Sequence, residues 1–476
     1  MVFKMKKRVL LYNPVLRRYS QPRLGLAYVA SALKSAGNEV SLAMAPGGSI
    51  KEIEGQIASF KPDYLGVTGF TSEYYFILEI FKAAKRANHS IKTVFGGPHA
   101  SSVAGYILSS APEVDYVIRG EAEESMPQLV SGAVKPDDIA GLCYRKDGKP
   151  VIKDPAIIKD LDSLTYPWDV ITPAAFDTGQ VHGYMYRNRP VIPVLSSRGC
   201  PYLCTYCAGH SVFGHKIRLR DPLKFVDELE YLNKTFKVKE FQIIDDNFSF
   251  FREHAIAVCN EILSRKLEIN WTLPNGIRAD KLDEELLGLM KKSGCYYMAF
   301  GFEFGSKRIL KEMKKSLDSE KSRRTVITAD KMGFITHGFF LMGYPTEEKE
   351  DIEATKDLIL SLPLDRISIG TPIPYPGSEL FDYYRDKKVF KDLDSFDWDY
   401  YSEGNSKLVF EHLEYPYVKS MVQKTYRKFY FNPLRMLRFI LKFRTLTQFA
   451  AFFSSLKGGI TLINNIMKQK EVRGQK

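Results

Sequence analysis

Cysteine and histidine are scarce in this chain, six and eight among 476 residues, which excludes a small scaffold held by dense disulfides. A long apolar run near the start is also missing. Met1-Val2-Phe3-Lys4-Met5-Lys6-Lys7-Arg8 passes directly into strand-like Val9-Leu10-Leu11-Tyr12, without the apolar core and small-residue cleavage site of a signal peptide, so a cytoplasmic protein is expected. Net charge is absent from most of the molecule. Up to residue 415 there are 55 bases and 55 acids, whereas from Pro416 onward 13 bases stand against one acid, Glu471. The overall +12 therefore belongs to the C-terminal segment, and the neutral body speaks against nucleic acid as a partner. An apolar fraction of 45% with 13% aromatics excludes a disordered chain, and the length allows two or three domains.

What cysteine there is lies concentrated. Cys200-Pro201-Tyr202-Leu203-Cys204-Thr205-Tyr206-Cys207 places three of the six in a C-x3-C-x2-C loop after an apolar strand, Val191 to Leu195. Thiolates are the ligands that iron–sulfur clusters require, and three of them hold three irons of a [4Fe-4S] cube while leaving the fourth open. Cys200, Cys204 and Cys207 are thus the candidate metal ligands. Three cysteines without a fourth ligand do not suit closed structural zinc. Cys143, Cys259 and Cys295 stand singly among apolar neighbours and are expected as core thiols.

Residues 8 to about 132 alternate strand-like and helix-like runs, the pattern of a doubly wound α/β domain with a parallel sheet. Ligands of that architecture sit at the carboxyl ends of the strands. Here those ends read Gly66-Val67-Thr68-Gly69-Phe70-Thr71-Ser72, Gly96-Gly97-Pro98-His99 and Arg119-Gly120-Glu121, small and polar enough to let a large flat ligand approach the backbone. Residues 133–190 are expected as a connector, with a hairpin at Lys146-Asp147-Gly148-Lys149. Residues 191–410 resume the alternation with six βα units, a partial (β/α)6 or full barrel whose working face is again the carboxyl end of its strands. A helical basic segment, 411–476, ends the chain.

Taken in order, the cysteine loop, Ile244-Asp245-Asp246-Asn247-Phe248, Asn275-Gly276-Ile277-Arg278-Ala279-Asp280, Gly301-Phe302-Glu303, Gly343-Tyr344-Pro345-Thr346 and Pro374-Tyr375-Pro376-Gly377-Ser378 resemble the radical S-adenosylmethionine enzymes that carry an N-terminal cobalamin-binding domain. The resemblance covers nearly all of residues 8 to 430. It implies a [4Fe-4S] cluster on the three cysteines, S-adenosylmethionine on the open iron, and Tyr206 beside the adenine. Glu303 and Asn275 are then candidates for the ribose or amino acid moiety, and Arg278 for the carboxylate; Asp246 and Gly343 complete the set, although Asp245 or Asp246 reads equally as a helix cap. In the first domain Thr68, Ser72, Gly96, Gly97, Pro98, His99, Gly120 and Glu121 are implied around cobalamin. The D-x-H-x-x-G motif is absent, because His89 and His99 are preceded two residues earlier by Ala87 and Gly97. Cobalamin is therefore expected without a protein histidine below the metal, and the alternative is a doubly wound domain that binds no cofactor.

The resemblance implies that a 5'-deoxyadenosyl radical activates a carbon that is then methylated. A cyclisation or oxidation without methyl transfer is the alternative within the same machinery, and a non-catalytic metal-binding or redox-sensing protein the alternative outside it. The expected partners are a small-molecule or lipid substrate and an external low-potential donor such as flavodoxin or ferredoxin. In the tail, Arg435, Arg438 and Lys442 share one face of a helix starting at Pro433, which suits either peripheral contact with the inner face of a membrane or a basic helix packed over the barrel mouth.

Overall fold

Short β-branched runs separated by amphipathic stretches fold into two parallel sheets, each flanked by helices, in a computed structural model that describes residues 6–15, 22–46, 49–177, 186–388 and 410–450 together with Leu393, Phe396 and Trp398. The first domain runs β1 (Arg8–Val15), α1 (Leu24–Ser35), β2 (Glu39–Pro46), α2 (Ile50–Phe60), β3 (Tyr64–Thr68), α3 (Tyr74–Ala87), β4 (Lys92–Gly96), α4 (Pro98–Ser110), β5 (Tyr116–Ile118) and α5 (Ser125–Ser131). Its strands pair in the order β2-β1-β3-β4-β5, all parallel. The expected hairpin forms β6 (Leu142–Lys146) and β7 (Lys149–Val151), but it does more than connect. Both strands add antiparallel to the edge at β5, so the sheet has seven strands and reaches into the stretch read as connector.

The second domain runs β8 (Val191–Val194), β9 (Ser197–Arg198), α6 (His210–Phe213), β10 (Arg218–Leu219), α7 (Pro222–Phe236), β11 (Glu240–Ile243), α8 (Arg252–Ser264), β12 (Asn270–Ile277), α9 (Glu284–Lys292), β13 (Cys295–Glu303), α10 (Lys307–Glu312), α11 (Ser319–Lys331), β14 (Ile335–Leu341), α12 (Lys349–Ser361), β15 (Arg366–Gly370) and α13 (Glu379–Asp386). Six strands pair in sequence, β8-β11-β12-β13-β14-β15, all parallel, and the sheet stays open between β8 and β15, a partial barrel. Every residue of β13 is buried, as a central strand covered on both faces requires. Local signals set the helix limits: α7 opens on the Asp221 side chain, which accepts the Leu223 N–H, with Pro222 in its first turn, and it closes on Lys237 in the left-handed region.

The tail completes the barrel. On α14 (Tyr415–Tyr430), the Tyr426 and Tyr430 hydroxyls accept the Ile369 and Ile367 N–H groups at 2.8 and 3.2 Å, so the open edge at β15 is covered. Next, α15 (Pro433–Leu441) packs Phe439, with Phe443 just beyond, against Tyr296, Tyr297, Ala299 and Ile335 at the amino ends of β13 and β14. A helix over the mouth would sit at the opposite end. The bases expected to meet headgroups point into the protein: Arg435 donates to the carbonyls of Leu360, Leu362 and Leu364, and Lys442 to Asp330, Asp365 and the Phe334 carbonyl. The remainder of the tail, 451–476, lies outside the described residues. Among the described residues no helix is long and apolar enough to cross a membrane.

Candidate active site

Because every strand of both parallel sheets ends toward its connecting loops, the loops carry the chemistry, and the two sets meet at one cavity of 920 Å³. From the first domain Thr68, Phe70, Ser72, Gly96, Gly97, Pro98, Gly120 and Glu121 line it; from the second, Pro193, Arg198, Ala208, Gly209, Ile244, Asp246 and Asn275. Sequence patterning thus placed all but one of the first-domain candidates on the wall. The exception is His99, which is buried and lies among Tyr74, Phe95 and Trp398, with ring centroids 4.6, 6.0 and 4.8 Å away. Its Nδ1 meets the Thr71 hydroxyl at 3.2 Å, and burial pulls its pKa down to about 3, so the neutral ring props its loop from behind.

The wall is shaped for a bulky ligand. A Cβ built on Gly25 would meet no atom within 4 Å, and one on Gly96 only the Ile118 carbonyl at 4.0 Å, so a side chain at either glycine would project into the cavity. Gly97, at φ +90°, has no such room: a Cβ there would lie 2.4 Å from Thr68 Oγ1. Around these glycines Leu11, Val94, Ile118 and Met126 give an apolar floor, and Thr68, Thr71 and Ser72 supply hydroxyls. This donor set fits a large, flat, amide-fringed cofactor such as cobalamin.

On the other side, the cysteine loop leaves β9 and runs to α6. Gly199, at φ +93°, starts it, its N–H donating to Asp246 at 3.2 Å, so Asp246 both fixes the entry to the loop and faces the cavity. Asp245 is spent on structure: it accepts the Ser196 N–H and both the Ser196 and Ser197 hydroxyls at 2.6–2.8 Å. Cys200 and Cys204 are partly buried and Cys207 is exposed, all three as free thiols. Burial raises the pKa of Cys200 to about 11 and also that of Cys204, where the charges of Lys315 and Arg278 oppose it. Metal binding must displace these protons. The Gly209 N–H donates to Cys207 Sγ at 3.4 Å, a contact that stabilises a thiolate. Three thiolates within eight residues suit a cube, which offers each of them a separate iron. The loop's chemistry therefore fits a cluster.

Behind the loop, Glu303 ends β13 at φ +64°, beside a break in register between Gly301 and Glu303. A non-glycine residue held there stores strain of the kind that gathers at functional sites. Its carboxylate accepts from Lys315 Nζ at 2.6 Å, both charged groups are buried, and burial together with the Glu303 charge pushes the Tyr206 hydroxyl well above its ordinary pKa. Lys315 is the residue sequence reasoning missed. Arg278, expected to take a ligand carboxylate, turns Nε and Nη2 to Asp280 at 3.0 and 2.7 Å but leaves its buried Nη1 without a hydrogen-bond partner, with its guanidinium 4.1 Å from the Tyr202 ring centroid. Asn275 donates to the Ile244 carbonyl at 2.6 Å and stands open to the cavity. Gly343, at φ +101°, does not line the cavity; its N–H and that of Tyr344 donate to Glu347, a second missed residue, whose burial raises its pKa to about 8.

A buried charge network joins the domains at the cavity edge. Arg198 donates to Glu121 at 2.7 Å and to Glu123 at 2.8 Å, and Glu121 also accepts from Arg218 and the Ile158 N–H. Glu121 is thus a lock between the two halves, its carboxylate fully engaged.

Comparison with known proteins matches residues 17–130 to the B12 binding domain and residues 194–359 to the Radical SAM superfamily. An uncharacterized methyltransferase of Pyrococcus horikoshii is 29% identical, with 88% of this chain and 90% of the relative covered. The anaerobic magnesium-protoporphyrin IX monomethyl ester cyclase of Rubrivivax gelatinosus is 28% identical over 86% of this chain and 74% of its own. Among solved structures, the radical S-adenosylmethionine methyltransferase TsrM from Kitasatospora setae, with cobalamin and a [4Fe-4S] cluster bound, superposes with a TM-score of 0.66 at 19% identity, covering 80% of this chain and 78% of that one. That likeness is one of fold.

Proposed function

The chain belongs to the radical S-adenosylmethionine enzymes that carry an N-terminal B12-binding domain, and from that membership we propose that it methylates an unactivated carbon of a small-molecule or lipid substrate. One observation carries the reading. Ala208 and Gly209, which directly follow the third cysteine, and the glycine-lined strand ends of the first domain, Gly96, Gly97 and Pro98, line the same cavity. When bound, the cluster and S-adenosylmethionine supply a 5'-deoxyadenosyl radical, and cobalamin supplies a methyl group.

The chain's own residues hold and orient. Cys200, Cys204 and Cys207 would bind the cluster, and the Lys315 ammonium, beside Cys204 and Glu303, would take the carboxylate of S-adenosylmethionine together with Arg278, whose buried Nη1 has no hydrogen-bond partner. Glu303 and Tyr206 would orient its amino and adenine ends, while Asn275 and Asp246 offer polar atoms toward the cavity. Gly96 and Gly97 would admit the corrin, and no histidine lines the cavity among the described residues. The electron donor would be an external low-potential protein such as flavodoxin or ferredoxin. We place the enzyme in the cytoplasm at the inner face of a membrane, on the strength of its basic, apolar tail.

The deciding experiment incubates anaerobically reconstituted protein with cobalamin, reductant, methyl-deuterated S-adenosylmethionine and a host extract. Labelled product together with 5'-deoxyadenosine supports methylation. Cyclisation, which the cyclase relative favours, gives 5'-deoxyadenosine and a product without label. If neither forms, the radical reading fails.

A further inference from the structure

Five large apolar side chains between residues 431 and 446 stand 56% to 87% exposed: Phe431, Leu434, Leu437, Leu441 and Leu446. Leu434, Leu437 and Leu441 recur at three- and four-residue steps, so they form one ridge along α15. A surface helix ordinarily buries such a ridge and turns its bases to water. Here the arrangement is reversed, and the reason is local. Arg435 caps the carbonyls of Leu360, Leu362 and Leu364 at 2.9–3.0 Å, and Lys442 sits 2.7 Å from Asp330 and 2.6 Å from Asp365. Phe439 and Phe443 anchor the same side in the barrel core. These contacts fix the helix, so the leucine face is held outward.

We infer that this leucine ridge seats in the headgroup and acyl boundary of an anionic membrane. The inference rests on the placement of the enzyme at a membrane and makes the leucines, not the inward-facing bases, the contact. Charge selects the partner. Lys424, Arg427 and Lys428 are exposed on the preceding helix, α14, Arg444 is exposed just beyond the ridge and donates to the Leu441 carbonyl, and no acid occurs between residues 415 and 450. An apolar ridge with a positive rim matches anionic lipid. A second copy of this surface would oppose like charges, and so would the chain's own residues 451–476, which carry five bases and one acid. Because α15 closes the amino ends of the strands while the cavity lies at their carboxyl ends, attachment leaves the cavity facing away from the bilayer.

Flotation of the full chain with vesicles of phosphatidylcholine, with and without phosphatidylglycerol, tests this. Wild-type protein is expected to float with the anionic vesicles only. The L434D/L437D/L441D variant, altered only at exposed positions and checked by circular dichroism, should bind about tenfold less or weaker still. In a separate variant, L437W, the added indole should shift its emission to the blue when anionic vesicles are present. Failure of wild-type protein to float with either vesicle overturns the membrane placement itself. Unchanged flotation of the triple variant overturns the ridge alone, as does an L437W emission that ignores vesicles. Conversion of a dimer to a monomer by the triple substitution, read by light scattering, would assign the ridge to a second copy instead.

Discussion

Lys315 reaches Glu303 at 2.6 Å, both side chains buried directly behind the cysteine loop. Removing one partner leaves a buried charge unpaired, which costs about 3–5 kcal/mol, whereas neutralising both is far milder. Lys315→Ala is therefore expected to lower the unfolding midpoint sharply. The E303Q/K315M double variant is expected to fold near wild-type stability, yet to bind S-adenosylmethionine about tenfold or more weakly, since a charge-assisted bond of about 1.5–3 kcal/mol is lost. Equilibrium dialysis on the cluster-loaded protein checks this; unchanged affinity in the double variant would make the pair purely structural.

Gly25 separates folding from cofactor binding. It lies in the first turn of α1, where leucine is a better helix former than glycine, it lines the cavity, and a Cβ there would meet no atom within 4 Å. Gly25→Leu should therefore leave stability equal or slightly higher while excluding cobalamin. Visible absorption of the protein after reconstitution and gel filtration reads the outcome, and full cobalamin retention would show that the cofactor does not use this wall.

The parts legible in the sequence are those encoded within a few residues. The C-x3-C-x2-C spacing, the strand-end glycines and the βα alternation are all local, and the structure brings Gly96, Gly97 and Gly120 to one cavity with Ala208 and Gly209, the residues that follow the third cysteine. Lys315 was not legible, because in Lys311-Glu312-Met313-Lys314-Lys315 it reads as one more solvated base. It is buried because the Thr205 N–H bonds the Met313 carbonyl and ties that turn to the cysteine loop. The inward turn of Arg435 and Lys442 depends likewise on carbonyls and carboxylates some 70 to 110 residues away. The pairing of Arg278 was hidden for the opposite reason: its partner Asp280 stands two residues on, inside the very motif that suggested a ligand role, and takes Nε and Nη2 but not Nη1.

His99 should leave no mark on cobalt. Its ring is buried among Tyr74, Phe95 and Trp398 rather than in the cavity wall, and it stays neutral. Electron paramagnetic resonance spectra of the cob(II)alamin-loaded wild type and His99→Phe are expected to be the same. Nitrogen splitting that disappears in the variant would refute this placement.

Glu347 gives the protein a pH dependence whose sign follows from its burial. Its pKa rises from an ordinary 4.5 to about 8, so the folded state keeps a proton that the unfolded state has released between those values. Stability accordingly falls as pH climbs through that window and levels off above it, by up to about 1.4 kcal/mol per pH unit. Glu240 and Asp245, raised to about 7 and about 6, act in the same direction, while His99, lowered to about 3, makes stability fall as pH drops below 6.5. The difference between wild type and Glu347→Gln isolates the first of these, because an amide oxygen at 347 can still accept the Gly343 and Tyr344 N–H groups. Urea denaturation between about pH 5 and pH 8.5 should show the variant losing less stability with rising pH than wild type. Parallel curves would mean that Glu347 ionises in the folded protein at the pH of a free carboxylate, with its two N–H donors outweighing burial.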